Sequence, residues 1–238
     1  MKKLNFPEWQ YNEFKQTGVD FDNPNEVDIY DNYMGCIRDI EEENSKIIKD
    51  LQVKEHFNIM ELGTGTGEFA LYASKFCKSI VAYDTSEEML SHAKEKMQKT
   101  NINNVEFKYG SFLTFDDNNQ EFDAVITQMA LHHLPDTWKM IAIRNIYNVL
   151  KPGGKFYLKD IAYSFDVNKY KLFFDNLVEI HETFYGIKAK DYSISFIKDE
   201  YPTFSWLLLE MLQHAGFIIN TKNNFQDFIL TCICTKPL

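Results

Sequence analysis

Three glycines at alternate positions, Gly63, Gly65 and Gly67, follow an apolar run that contains one acid, Ile59-Met60-Glu61-Leu62. Residues of these types in this order bring a buried strand into a sharp turn whose bare backbone can lie against a ligand. A dinucleotide fingerprint would put its third glycine at position 68, which is Glu68, and no Gly-Lys-Ser/Thr follows to cradle a triphosphate. A second apolar run, Ile80-Val81-Ala82-Tyr83, ends at Asp84, 17 residues after Gly67. A carboxylate there can accept two parallel hydrogen bonds, as the paired hydroxyls of a ribose would offer. His132-His133 adds two imidazoles whose ordinary pKa lies near neutrality, suited to moving a proton.

Two further stretches complete a pattern. One is Phe122-Asp123 leading to Ala130-Leu131-His132-His133-Leu134-Pro135-Asp136; the other is Lys151-Pro152-Gly153-Gly154. Together with the glycine loop and Asp84 they resemble class I S-adenosylmethionine-dependent methyltransferases, in particular those akin to ubiquinone and menaquinone biosynthesis enzymes. The resemblance runs from about residue 57 to 160 and weakly through the last strands. It implies S-adenosyl-L-methionine as cofactor, leaving S-adenosyl-L-homocysteine, and methyl transfer to a small-molecule acceptor by in-line displacement. Carbon, oxygen, nitrogen and sulfur acceptors all fit. Two other readings stay open: transfer of a different group from the same cofactor, and a cofactor-binding regulatory protein without turnover. A nicotinamide oxidoreductase is disfavoured by Glu68 and by the final hairpin.

Site residues follow from the same resemblance. Gly63, Thr64 and Gly65 form the cofactor turn. Glu61 lies beneath it, toward the cofactor's amino-acid end or fixing loop amides. Asp84 holds the ribose, with Thr85 and Met89 beside the adenosine. Family members often carry Gly-Asp after the third strand; here Gly110-Ser111-Phe112 stands instead, so a Ser111 hydroxyl and the Phe112 amide would meet the adenine. Gln128 and Met129 belong near the sulfonium. His132 and His133 are either a base or a helix entry with a cofactor contact. Tyr11, Tyr30 and Tyr33 are either part of a cover or core residues, and Tyr30 is a further candidate for catalysis.

The elements that must position these groups are legible from periodicity. The first fifty or so residues read as helices: a short one over 7–17, then one starting at Asn23-Pro24-Asn25-Glu26, with Val27, Tyr30, Met34, Ile37 and Ile40 on one stripe. Glu41-Glu42-Glu43 reads as a solvated face. From residue 57, strands ending at Met60, Tyr83, Tyr109, Thr127 and Lys159 alternate with helices over Glu68–Phe76, from the capping box Thr85-Ser86-Glu87-Glu88, and over Asp136–Leu150. Repeated strand–helix units imply a parallel sheet with helices on both faces. Gly216–Asn220 and Asp227–Thr235, joined through Thr221-Lys222-Asn223-Asn224, are too close for a crossover and read as a hairpin. The expected fold is α/β: a seven-stranded, mostly parallel Rossmann-like sheet with an antiparallel last strand. Residues 161–206 hold 12 of the 36 aromatic residues and read as an inserted lid and substrate region. The expected layout is a helical cover over 1–55, a cofactor-binding core over 56–160 and 207–238, and the insert between.

Composition narrows the partners. A net charge of −10 over 238 residues argues against a nucleic-acid footprint. The four cysteines lack zinc-site spacing, and no metal site is read from the sequence. Cys232 and Cys234 should share one buried face of a strand. Met1-Lys2-Lys3-Leu4-Asn5 does not read as a secretory leader, and no apolar run is of membrane-spanning length, so a reducing cytoplasm is expected. Oligomeric state stays open.

Overall fold

A computed structural model describes residues 6–116 and 121–238; the reading of Met1–Asn5, including the start of the expected cover, lies outside them. The described residues form eight strands, most of them separated by helices: β1 Asn58–Leu62, β2 Ser79–Asp84, β3 Val105–Tyr109, β4 Phe122–Gln128, β5 Leu150–Tyr163, β6 Thr203–Phe204, β7 Ile218–Phe225 and β8 Ile229–Thr235. Seven form one sheet in the order β3-β2-β1-β4-β5-β8-β7, and the two-residue β6 adds to the end of β5. Strands β1 to β5 pair in parallel, while β8 lies antiparallel to both β5 and β7. The order reverses beside β1, which places the crevice for a ligand at the carboxyl ends of β1, β2 and β4.

Strand alternation divides the core in two. Met60, Leu62 and Val125 face one side and pack with Ile143 and Ile146 of α5 (Asp136–Val149) and Leu208 and Leu212 of α8 (Ser205–His214). Their neighbours Ile59, Ile80 and Ile126 face the other side, against α2 (Ile40–Leu51), α3 (Glu68–Ala73) and α4 (Glu87–Gln98). Continuous apolar strands buried on both faces are what a parallel sheet with helices on either side requires. Cys232 and Cys234 both point into the first of these cores and are fully buried.

Several local expectations change. Residues 7–17 form turns, not a helix. Asn12 accepts from the Phe14 amide, and such local side-chain bonds compete with helix formation. Asn23 does start a helix, α1 (Pro24–Ile37), and its side chain accepts from Asn25. That helix stops at Ile37: Arg38 is extended, and Asp39 caps α2 by accepting from Glu42, so Ile40 belongs to the next helix. Ser86, not Thr85, caps α4, accepting from Met89. Helix α3 ends at Ala73, leaving Phe76 37% exposed. Lys151-Pro152-Gly153-Gly154 ends α5 but already lies within β5. The hairpin turn falls at Gln226-Asp227, both with positive φ, instead of at Thr221–Asn224, because the latter form the polar, exposed edge strand β7.

The inserted region folds as two helices, α6 (Tyr170–Tyr185) and α7 (Ile187–Asp199), joined at Gly186. Its aromatics build a third, smaller core with the end of β5: Phe165 stacks on Phe173 at 4.3 Å, and both meet Tyr163. Among the described residues no helix is long and apolar enough to cross a membrane.

Candidate functional site

The carboxyl end of β1 leads into the glycine loop, and the loop is held from beneath by β2. The amides of Gly63 and Thr64 both donate to the Tyr83 carbonyl at 2.9 Å. The Gly65 amide donates to Asp84 Oδ2 at 2.7 Å, while Asp84 Oδ1 accepts from the Ser86 amide at 2.9 Å. Two glycines serve different ends. A Cβ on Gly63 would sit 2.3 Å from the Ala130 side chain, so this position permits close packing of β1 against the segment after β4. A Cβ on Gly65 would meet nothing within 4 Å; with φ at +54°, this glycine turns a bare backbone toward open space.

That space is a cavity of about 840 Å³ over the strand ends. Glu61, Gly63, Thr64, Gly65, Asp84, Thr85, Met89, Ser111, Phe112, Gln128 and Met129 all line it, as do His132, His133, Tyr30 and Tyr33. Tyr11 does not; its hydroxyl donates to the His133 carbonyl at 3.2 Å and its ring packs against Trp138 and Tyr201.

Burial sets the charge of the acids here. Glu61 is 3% exposed, and burial pushes its pKa up to about 8, with the Thr64 hydroxyl donating to it at 2.7 Å and the Asp84 charge pushing further upward. Burial also raises the Asp84 pKa against the opposing pull of the Ser86, Gly65 and Thr85 amides. At the far side of the loop, Glu13 accepts from Leu113 and from the Thr114 hydroxyl, and its burial carries its pKa to about 7. Ser111 lies in this same turn, its amide donating to Thr114 Oγ1 at 3.2 Å.

The segment after β4 carries a bent backbone. Met129 has φ of +52° and donates its amide to the Lys159 carbonyl at 2.7 Å. Gln128 Oε1 is buried without a hydrogen-bond partner among the described residues. His132 bonds through Nδ1 to Asp160 and lies with Nε2 3.1 Å from Glu200. Burial alone would lower the His132 pKa; Asp160 and Glu200 outweigh it and raise it to about 9. His133, its ring centroid 4.4 Å from that of His132, is driven down to about 4 by burial and by its neighbour's charge.

Helix α1 and its C-cap close another wall. The Thr66 hydroxyl donates to Asp31 at 2.5 Å. Arg38 bonds Glu43 through Nε and Nη2, and Lys159 reaches the same carboxylate at 2.8 Å. Burial works against an ionised Glu43, but Arg38 and Lys159 hold its pKa below the usual range. Glu43 therefore does not belong to a solvated acidic face. Glu13, Asp31, Arg38, Glu43, Asp160 and Glu200 were not singled out from the sequence. Arg38 and Glu43 pair across only five residues, but the other contacts, including Lys159 with Glu43, form only through long-range folding.

A methyltransferase domain model matches residues 59–154, the stretch that holds the loop, Asp84 and both histidines. An uncharacterised methyltransferase of Bacillus subtilis, YcgJ, is 29% identical over 114 residues, covering 48% of this chain and 44% of that protein. The chain thus spans less than half the length of that relative. A demethylmenaquinone methyltransferase of Listeria welshimeri is 27% identical over 178 residues, covering 71% of this chain and 74% of its own. Among solved structures, the N-methyltransferase NodS of Bradyrhizobium japonicum, in complex with S-adenosyl-L-homocysteine, shares the fold with a TM-score of 0.59 and 16% identity, over 83% of this chain and 87% of that one. Residues 59–154 thus match a methyltransferase domain, and the strand order of the whole sheet is shared with solved methyltransferase structures.

Proposed function

We propose that the protein transfers the methyl group of S-adenosylmethionine to a small aromatic or aliphatic acceptor by in-line displacement. The observation that carries this reading is the bare, open face of Gly65 beside Asp84, in one cavity with the buried, unpartnered Gln128 oxygen. The residues fit the cofactor. Asp84 spends one lone pair of each oxygen on backbone amides and keeps others for ribose hydroxyls. Ser111 and Phe112 would meet the adenine, and Glu61 with Gly63, Thr64 and Gly65 the amino-acid end. Gln128 and Met129 would flank the reacting centre, with Thr85 and Met89 along the adenosine.

When bound, the cofactor supplies a methyl group on a sulfonium, a good leaving group. The chain's own work is then to align donor and acceptor and to exclude water. Tyr30 and Tyr33 of α1, Tyr192 and Phe196 of α7, and Phe228 give the cavity aromatic walls. These walls support a flat or apolar acceptor, and the Listeria relative is named for methylating demethylmenaquinone. His133 is neutral near pH 7 but, with its pKa driven down to about 4, a weak base for an acceptor O–H or N–H; a thiolate or carbanion would need none. Residues 1–55 and 161–206 act in this reading as covers over the core of 56–160 and 207–238. The reading keeps the protein in the cytoplasm, which suits its four free cysteines.

Calorimetric titration with S-adenosylmethionine, followed by mass spectrometry of acceptor mixtures, tests the proposal. Binding with formation of S-adenosylhomocysteine and a product heavier by one methylene supports it. Binding without any product would favour a regulatory role, and a different mass gain another group transfer.

A further inference from the structure

The geometry points to a divalent transition-metal site formed by His132, His133 and Glu200, facing the cavity. One donor atom from each of the three side chains can be chosen so that all lie within 4.8 Å of one another. His132 Nε2 and Glu200 Oε2 are 3.1 Å apart, the spacing of neighbouring donors on one ion with bonds of roughly 2.0–2.2 Å. His133 supplies the third donor within the same 4.8 Å compass.

The surroundings are those of a ligand set. His132 is oriented from behind, because its Nδ1 faces the Asp160 carboxylate, which in turn accepts from the Ile161 amide at 2.8 Å. A carboxylate on the far nitrogen fixes the tautomer that leaves Nε2 free to coordinate and raises its basicity. Glu200 also receives the Val19 amide, so it is held from the N-terminal segment. Charge agrees as well: by displacing the His132 proton, a divalent ion would sit between the Asp160 and Glu200 carboxylates in one buried corner. Tyr163 adds an independent sign. Its hydroxyl is buried, has no hydrogen-bond partner among the described residues, and is close enough for the Glu200 charge to act on it.

Two imidazoles and one carboxylate select zinc, iron(II), cobalt(II) or manganese(II) over magnesium or calcium, which prefer all-oxygen sites. Three protein donors leave a coordination position open for water or for an oxygen of the acceptor. Only that last role rests on the methyl-transfer reading; metal binding does not.

The test uses the full chain, stripped with a chelator and titrated with Zn²⁺ by calorimetry and with Co²⁺ by visible absorption. S-adenosylhomocysteine is titrated in parallel. The expected result is one equivalent bound, with a cobalt spectrum free of a thiolate charge-transfer band. His133→Asn and Glu200→Gln, each checked for folding by circular dichroism, should each weaken binding at least about tenfold, and Asp160→Asn about 10- to 100-fold. No stoichiometric binding, a thiolate band, or affinity unchanged in both folded ligand variants would overturn the site. Protein that binds S-adenosylhomocysteine but no metal refutes this inference alone. Protein that binds metal but no S-adenosylhomocysteine refutes the methyl-donor reading alone.

Discussion

The Glu13 carboxylate accepts a hydrogen bond from the Thr114 hydroxyl at 2.6 Å, across 101 residues of sequence. It also caps the Leu113 amide, so one acid ties the N-terminal segment to the turn after β3, where Ser111 and Phe112 line the cavity. Glu13→Ala should cost roughly 1–3 kcal/mol, the range for leaving buried polar partners unpaired. Urea unfolding measures the loss. Hydrogen exchange should show the added mobility confined to the N-terminal segment and the 111–116 turn; mobility spread over the whole sheet would refute the tether.

Glu61 makes stability depend on pH. Its folded pKa of about 8 lies above the ordinary 4.5 of a glutamate, because burial disfavours the ionised form. The folded state thus holds the proton more tightly than the unfolded chain. Its stabilising effect is fully present below pH 4.5 and is lost as pH rises through about 8. Glu61→Gln should flatten the fall in unfolding free energy between about pH 5 and 8. An unchanged slope in the variant would show that Glu61 does not carry the dependence.

Asp84 holds the Gly65 and Ser86 amides, and one substitution can separate that from the proposed ribose contact. Asp84→Asn preserves shape but removes the charge, and should weaken S-adenosylhomocysteine binding by about 1.5–3 kcal/mol, the range for bonds to a charged group. Asp84→Ala should lose more, since the Gly65 and Ser86 amides also lose their acceptor. Calorimetry on both variants checks the order; equal affinity for wild type and Asp84→Asn would remove the ribose role.

Gly63 and Gly65 should fail differently. Gly63→Ala drives a methyl into Ala130 and should lower the melting temperature with the sheet strained. The Cβ of Gly65→Val meets no protein atom within 4 Å, so the variant should leave the fold largely intact, at roughly 1–2 kcal/mol for the left-handed backbone, and abolish cofactor binding. Circular dichroism with titration separates the two, and normal binding by folded Gly65→Val protein would exclude the loop as the cofactor turn.

Closure of the cover should be uneven. Tyr33 of α1 meets Tyr192 of α7 edge-on at 5.4 Å, and Lys188 and Tyr192 both bond Glu26. The Phe165–Phe173 half of the insert is packed on β5 as its own core. Added S-adenosylhomocysteine should therefore slow hydrogen exchange in α1 and α7 more than in residues 165–174. Exchange in α1 and α7 that is already as slow as in β1 and β4 without ligand would make them fixed core.

The groups that one strand end delivers were legible in the sequence. Glu61, the glycine loop and Asp84 sit within 24 residues, Glu61 to Asp84, and each follows an apolar run whose direction the parallel sheet dictates. The sheet itself was legible too, because alternating strand and helix periods leave few ways to bury both faces. The turn at Gln226-Asp227 was not, since exposed polar residues can serve a loop or a solvent-facing edge strand equally well. Nor was the absence of a helix at 7–17, where Tyr11 and Glu13 take partners on other elements. Arg38 with Glu43 and Lys159, and His132 with Asp160 and Glu200, likewise exist only once the chain has folded. Periodicity records which face of its own element a residue occupies. A charge partner brought from 116 residues away, as Lys159 is to Glu43, leaves no mark on that period, so only the tertiary structure decides it.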